Sequence, residues 1–272
     1  MQRIFMDGLT LHYKGDDQAS AALIQQACEK SVPLLREYYG LGIPKDCHIY
    51  VMTSWPEFIF DSAPWSWKVV LAVTLPLWAF RAKRIWLLAG GWEQSYGPSQ
   101  AVGVKPPHLI QSADKSLGDR IFIRGANAEE TVQRITCHEL THAFCSHLKL
   151  PIWLKEGLAM VMVDKFSKGP TVRYETITAL ERSPDEHGPR ERKKMNVGDE
   201  DALIDLYARG YWQTRYIEET QPQLLKILLS RRYPQHELES LIAAAYGKGS
   251  EGFWGEMNKA MVSHFEQEGR SS

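Results

Sequence analysis

An α+β domain is the fold class that this chain of 272 residues predicts, and three observations carry it. The first fifty residues run through a strand pattern, a helical stripe and a second strand pattern. A short alternating run near residue 122 leads into a capped helix. From Leu203 onward, apolar residues recur at helical spacing almost to the end. Composition agrees: 44% hydrophobic and 24% charged residues belong to an ordinary globular chain with enough length for a sizeable core. Lys plus Arg (32) nearly cancels Asp plus Glu (33), so no overall basic footprint exists and nucleic acid is not an expected partner. The four cysteines form no CxxC pair and are too sparse for a disulfide scaffold, which predicts reduced thiols and a cytoplasmic location.

The N-terminal MQRIFMDGLTLHYKGDD lacks the apolar core and small-residue cleavage site of a signal peptide, and residues 3–14 read as a strand or hairpin. Residues 17–40 carry Ala21, Ile24, Ala27, Leu34, Leu35 and Tyr38 at helical spacing. Gly40 is the stop, and Pro33 bends or divides the helix. CHIYVMTS (47–54) is a core strand.

An insert at 61–92 then breaks the pattern. Val69 to Phe80 contains no charge, and five of the nine tryptophans lie between Trp65 and Trp92. Trp65 to Phe80 is sixteen residues with Lys68 and Pro76 inside, short of the roughly 20 needed to span a bilayer. Arg81, Lys83 and Arg84 form a basic elbow before a second apolar run. Two readings stand: a buried helical hairpin or lid on the core, and a Trp-anchored element over 64–92 that makes peripheral contact with a membrane. One crossing at 65–80 would put the two halves of a single domain on opposite sides, so the segment must return to the side it left.

Residues 93–118 read as loop, and RIFIR (120–124) as a strand ending at Gly125. Asn127 with Glu130 three residues later is a capping-box pattern that opens a helix running to Pro151. IWLKEGLAMVMVDKF (152–166) is a second helix, and 171–175 a further strand. Residues 183–201 are charged and poor in apolar residues, hence an exposed loop. The rest is helix with a break at Gly247 and Gly249. The expected organisation is an N-terminal α+β part (1–182), the charged loop (183–201) and a helical part (202–272) that closes a cleft.

The chemistry lies in His138-Glu139-Leu140-Thr141-His142. Histidines four apart on a helix project one turn apart from the same face and can reach one metal ion. Glu139 lies between them, displaced around the helix, where it can take a proton from a metal-bound water. Random placement gives this pattern in about 2% of chains of such composition, so context decides. The capped helix supplies that context, as does Glu156, fourteen residues after His142 in WLKEGLA. A tight turn at 149–151 would fold the start of its helix back against the first. Among Trp153, Leu154, Leu158, Ala159 and Met160, a carboxylate needs a cation. Two histidines, one glutamate and a water complete a catalytic Zn²⁺ shell, one ion per chain. Cys137 and Cys145 read as core thiols, His108 and His147 as surface or satisfied histidines, and HELES (236–240) lacks the second histidine.

HELTH followed by LPIWLKEGLA resembles the gluzincin metallopeptidases, especially the peptidase MA-like branch related to thermolysin and the zinc aminopeptidases. The resemblance extends over most of the chain, including 17–54 and GYWQTRYIEETQPQLLKILL (210–229), but not the insert or the charged loop. It implies a small N-terminal mixed sheet, a zinc helix at its base and metal-assisted cleavage of a peptide or protein substrate. His138, His142 and Glu156 would be ligands and Glu139 the general base. It also implies a tyrosine that supports the oxyanion. Tyr211 and Tyr216 are the two candidates, and an aromatic packed in a helical core is an equal reading of each. The strand 120–124 would be the substrate-binding edge, so that Ile123→Pro cripples cleavage. Two features depart from the family. Met160 stands where thermolysin has an orienting Asp, leaving Asp164 as a substitute, and no Gly-x-Met-Glu-Asn string is present. The second departure favours an endopeptidase or narrow-specificity enzyme. The competing reading is a catalytically silent zinc-binding or membrane-associated scaffold, and the intact Glu139 speaks against it.

Overall fold

The computed structural model describes residues 1–110, 116–181, 199–249 and 252–269. Strands β1 (Gln2–Met6) and β2 (Leu9–Tyr13) form the expected hairpin around Gly8, whose φ of 73° is the left-handed conformation the turn requires. Helix α1 (Gln18–Tyr39) buries Ala21, Ile24, Ala27 and Leu35. It ends at Gly40, φ 66°, with N–H bonds from Gly40 to Arg36 and from Leu41 to Leu35. Pro33 does not divide it: the ring removes one helix bond, and packing of the buried stripe keeps the helix continuous.

Strand β3 (Asp46–Val51) pairs parallel with β2, as a strand reached through a crossover helix should. Helices α2 (Trp55–Ser62) and α3 (Trp65–Leu88) follow, then β4 (Gly91–Tyr96) and β5 (Ser99–Val104). The sheet order is β1-β2-β3-β5-β4, mixed, with β1 and β4 at its edges. The β4–β5 hairpin corrects the expectation of a loop over 93–118. Gly97 at φ 70° makes the turn, and the segment SQAVGV, short of large side chains, is nonetheless buried from end to end.

One face of the sheet carries Leu11, Ile49 and Val102 in a single row, all fully buried under α1 and the helix α6 described below. The other face carries Tyr50 and Ala101 beneath α2 and α3. Gly103 is required there, because a Cβ would stand 2.8 Å from Met52 Sδ and from the Phe58 ring.

Residues 64–92 are therefore not a buried hairpin. α3 is one continuous helix through Pro76 and the basic elbow, and Ala82 is its only buried residue. Leu71, Trp78, Ala82 and Trp86 form one side that packs on the sheet. Lys105, buried after β5, donates from Nζ to the Trp86 carbonyl and lies 4.2 Å from the Trp86 ring centroid, pinning the end of the helix.

After α4 (Pro107–Ile110), residues 116–125 differ from the expected strand. α5 (Ser116–Ile121) is helical, and only Phe122 forms a bridge, antiparallel to Val172. The backbone of 121–123 is already in use: Ile123 N–H donates to Thr171 at 2.7 Å, Ile121 accepts from Arg173 N–H at 2.8 Å, and Ile123 accepts from Arg134 at 3.0 Å. The strand expected at 171–175 reduces to the same bridge and gives way to α8 (Glu175–Glu181).

α6 (Ala128–Cys145) and α7 (Ile152–Ser167) are the two motif helices. α9 (Glu200–Thr220), α10 (Pro222–Leu228), α11 (Gln235–Ala245) and α12 (Phe253–Gly269) complete the chain, and Gly247 at φ 67° follows α11 as expected. Most of the charged loop 183–201 lies outside the described residues. Among the described residues, no helix is long and apolar enough to cross a membrane.

Candidate metal centre

α6 begins with half of the expected capping box: the Asn127 cap is made, while the Glu130 side chain reaches one residue past the cap. Asn127 Oδ1 accepts from the Glu130 N–H at 2.8 Å, and Glu130 Oε2 accepts from Ala126 N–H at 2.6 Å. Val132, Leu140, Ala143 and Phe144 bury one side. His138 and His142 project from another, their rings edge to face at 4.5 Å between centroids.

The chain then reverses. A single 3₁₀ turn at Ser146–Leu148 and Lys149 in the left-handed conformation (φ 50°) swing it round to Pro151, which starts α7. This brings Glu156 back against α6. Its Oε2 lies 3.3 Å from His138 Nε2 and 3.4 Å from His142 Nε2. All three ligand atoms fall within 4.8 Å of one another, and the group can hold a metal ion. The donor chemistry fits: bonds of about 2.0–2.1 Å at tetrahedral angles put neighbouring ligand atoms roughly 3.3–3.4 Å apart. The structure thus brings together the three residues that the sequence singles out, His138, His142 and Glu156.

Burial opposes ionisation of Glu156, but the two imidazoles outweigh it and hold its carboxyl well below the usual range. Burial lowers His142 to about 4, and its Nδ1 is buried with no hydrogen-bond partner among the described residues. His138 behaves oppositely, since its hydrogen bond and charge contact with Glu156 overcome burial and raise its pKa. Glu139 is raised to about 7, first by burial and also by the Glu156 and Glu93 carboxylates. The start of β4 lies directly on it: a Cβ at Gly91 would stand 2.5 Å from Glu139 Cγ and 2.9 Å from its Oε1.

Two charged neighbours carry no motif signal. Lys155 Nζ donates to Glu93 Oε2 at 2.9 Å, tying α7 to the edge strand β4 beside the ligands. Glu93, Gln94, Ser95, Ser146, Lys149 and Lys155 line a polar hollow along that strand. Periodicity points to neither member of the pair, because β4 itself is hard to read in the sequence.

The tyrosines separate clearly. Tyr211 donates to Asp164 Oδ2 at 2.6 Å, and Asp164 also accepts from the Thr171 N–H and hydroxyl. Asp164 thus braces α7 against α9 and the 171 segment, not a ligand histidine as expected of it. Tyr216 stacks on Tyr246, 5.6 Å between centroids, and meets Phe265 edge-on. Tyr207, one turn before Tyr211, meets Phe122 edge-on at 6.3 Å between centroids and is near enough to Glu156 and Glu139 to feel their charges. Burial raises its phenol, and the next contributions come from Glu156 and then Glu139.

The reason is the α7–α9 contact. Gly157 and Gly210 let the two backbones touch, and a Cβ on Gly157 would overlap the Gly210 carbonyl and the Thr214 hydroxyl. That register brings the Tyr207 turn of α9 toward the start of α7, where Glu156 lies. The four cysteines are buried and unpaired, as expected. Comparison of the chain with protein-family models, curated proteins and solved structures finds no match.

Proposed function

We propose that the chain is a zinc-dependent peptidase of gluzincin type, cleaving internal bonds of a peptide or protein substrate or acting with narrow specificity. The observation that carries this reading is the juxtaposition of Glu139 with a buried His–His–Glu set under an open sheet edge. The ligand role is filled without Glu139, which leaves its carboxylate for proton transfer. Held by His138, His142 and Glu156, Zn²⁺ would supply a Lewis acid and a water with its pKa lowered to about 7.

The residues of the chain divide the remaining work. Glu139 takes the proton from the attacking water and passes it to the leaving amine. Tyr207 donates a hydrogen bond to the oxyanion that develops on the scissile carbonyl, a role its position supports better than that of Tyr211. β4 replaces 120–124 as the edge for an extended substrate, since it pairs with β5 on one side only and starts at Glu139.

Cleavage of a diverse peptide library, read by mass spectrometry for wild type and Glu139→Gln, tests this. Wild type should cut and Glu139→Gln should lose about 10²–10⁴-fold in rate with one zinc still bound per chain. Equal cutting by both proteins, or zinc-loaded wild type that cuts nothing, would overturn the reading.

A further inference from the structure

α3 carries eight of the fourteen exposed large apolar side chains found among the described residues. Val69, Val73, Leu77, Phe80 and Leu87 follow one another at helical spacing along its outer side, with Leu77 86% and Val73 76% exposed. Its inner side, through Leu71, Trp78 and Trp86, is equally apolar and packs on the sheet. A helix with apolar side chains on both its inner and its outer side needs an apolar neighbour on each, and an exposed run of this kind marks an interaction surface.

The charges identify the neighbour. No acidic residue occurs between Asp61 and Glu93, whereas Lys68, Arg81, Lys83 and Arg84 all lie on α3, in a chain whose net charge is −1. Arg84 falls within the apolar stripe, one turn after Phe80 and one before Leu87. Trp65, 80% exposed, and Trp67 sit at the start of the helix. Indole rings at one end and basic side chains flanking an apolar stripe match the headgroup zone of an anionic bilayer. A second copy of α3 fits poorly, because it would set like charges together with no acidic side chain on either helix to pair them.

We infer that α3 lies along the surface of an anionic lipid membrane, its outer stripe of Val69, Val73, Leu77 and Phe80 in the headgroup–acyl boundary. Only two residues separate Leu88 from Gly91, the residue that touches Glu139, so docking holds Gly91 within roughly 10 Å of the end of the helix and Glu139 just beyond it. The inference concerns binding alone and stands whether or not the site cuts peptides.

Sedimentation of the full chain with phosphatidylcholine vesicles, with and without phosphatidylglycerol, provides the test. Wild type should pellet with the phosphatidylglycerol vesicles at low salt and release as salt is raised. A Val73→Asp/Leu77→Asp/Phe80→Asp variant should stay in the supernatant with unchanged thermal unfolding, since all three side chains are exposed. Lys83→Glu/Arg84→Glu should weaken binding by at least about tenfold, and it keeps the test decisive if the triple variant misfolds. Absence of wild-type binding would overturn the inference, as would pelleting that neither variant alters. So would a dimer in analytical ultracentrifugation that the triple variant dissolves.

Discussion

Glu139 and Glu156 are buried carboxyls in the same small volume, and their environments move them in opposite directions. Glu156 has two imidazoles within 3.4 Å, while at Glu139 burial and two further carboxylates outweigh the opposing pull of His138 and Lys155. Spacing in the sequence distinguished these roles, because a helix fixes which residues share a face. It did not point to Tyr207: its candidates were Tyr211 and Tyr216 on the same helix, and only the packing of that helix brings Tyr207 within reach of the charges of Glu156 and Glu139. Tyr207→Phe should therefore lower kcat by about 10²–10³ with little change in Tm. Tyr211→Phe should instead cost about 1.5–3 kcal/mol of stability through the lost bond to Asp164. Reversal of those two phenotypes in paired turnover and denaturation assays would return the oxyanion role to Tyr211. Lys105 offers a pH test at the same scale. Burial lowers its pKa to about 8 against 10.5 unfolded, so between these values the unfolded chain binds more protons. Wild-type stability relative to Lys105→Met should rise as pH increases from about 8 toward 10.5, visible in urea melts across that range. A flat difference would mean that Lys105 is not desolvated.

Among the elements, those with strong periodicity and caps lie where the sequence puts them: α1 with its Gly40 stop, α6 with its Asn127 cap, α7 across the Pro151 turn. Misread elements share a physical cause. RIFIR alternates like a strand, yet its only ladder partner is a single bridge at Val172, and the residues before Phe122 complete a short helix. β4 and β5 are rich in Gly, Ser and Gln, and become strands because β3 offers a free edge and Gly103 admits α2. The helix pair α7–α9 depends on two glycines that local reading treats as indifferent. Gly157→Ala should destabilise the fold by about 1–3 kcal/mol or more through overlap with the Gly210 carbonyl. It should also weaken zinc binding, because Glu156 is the adjacent residue. Chemical denaturation with a zinc titration checks both, and an unperturbed variant would contradict the backbone contact.

For the whole molecule, the main apolar core runs from β2 through α1, α6, α7 and α9 to α12, and burial on that scale leads us to expect a fold that persists without an ion. Chelation should leave a folded protein with a lower Tm. At zinc near 100 times Kd the ion contributes about 2.7 kcal/mol, which corresponds to a shift of roughly 5–10 °C for a domain of this size. His142→Ala should show no zinc-dependent shift in differential scanning calorimetry, and unfolding on chelation would refute a self-sufficient core. The sequence by itself determined the α+β class, the helices with caps and stops, and the set of His138, Glu139, His142 and Glu156 as a candidate site, because these follow from local pattern and from the short turn that joins α6 to α7. Only the tertiary structure decided that β4 forms the edge beside Glu139, that Tyr207 comes within reach of the charges of Glu156 and Glu139, and that α3 turns an apolar side outward. Each of these depends on which surface a distant element covers, and that is settled by packing between segments tens of residues apart.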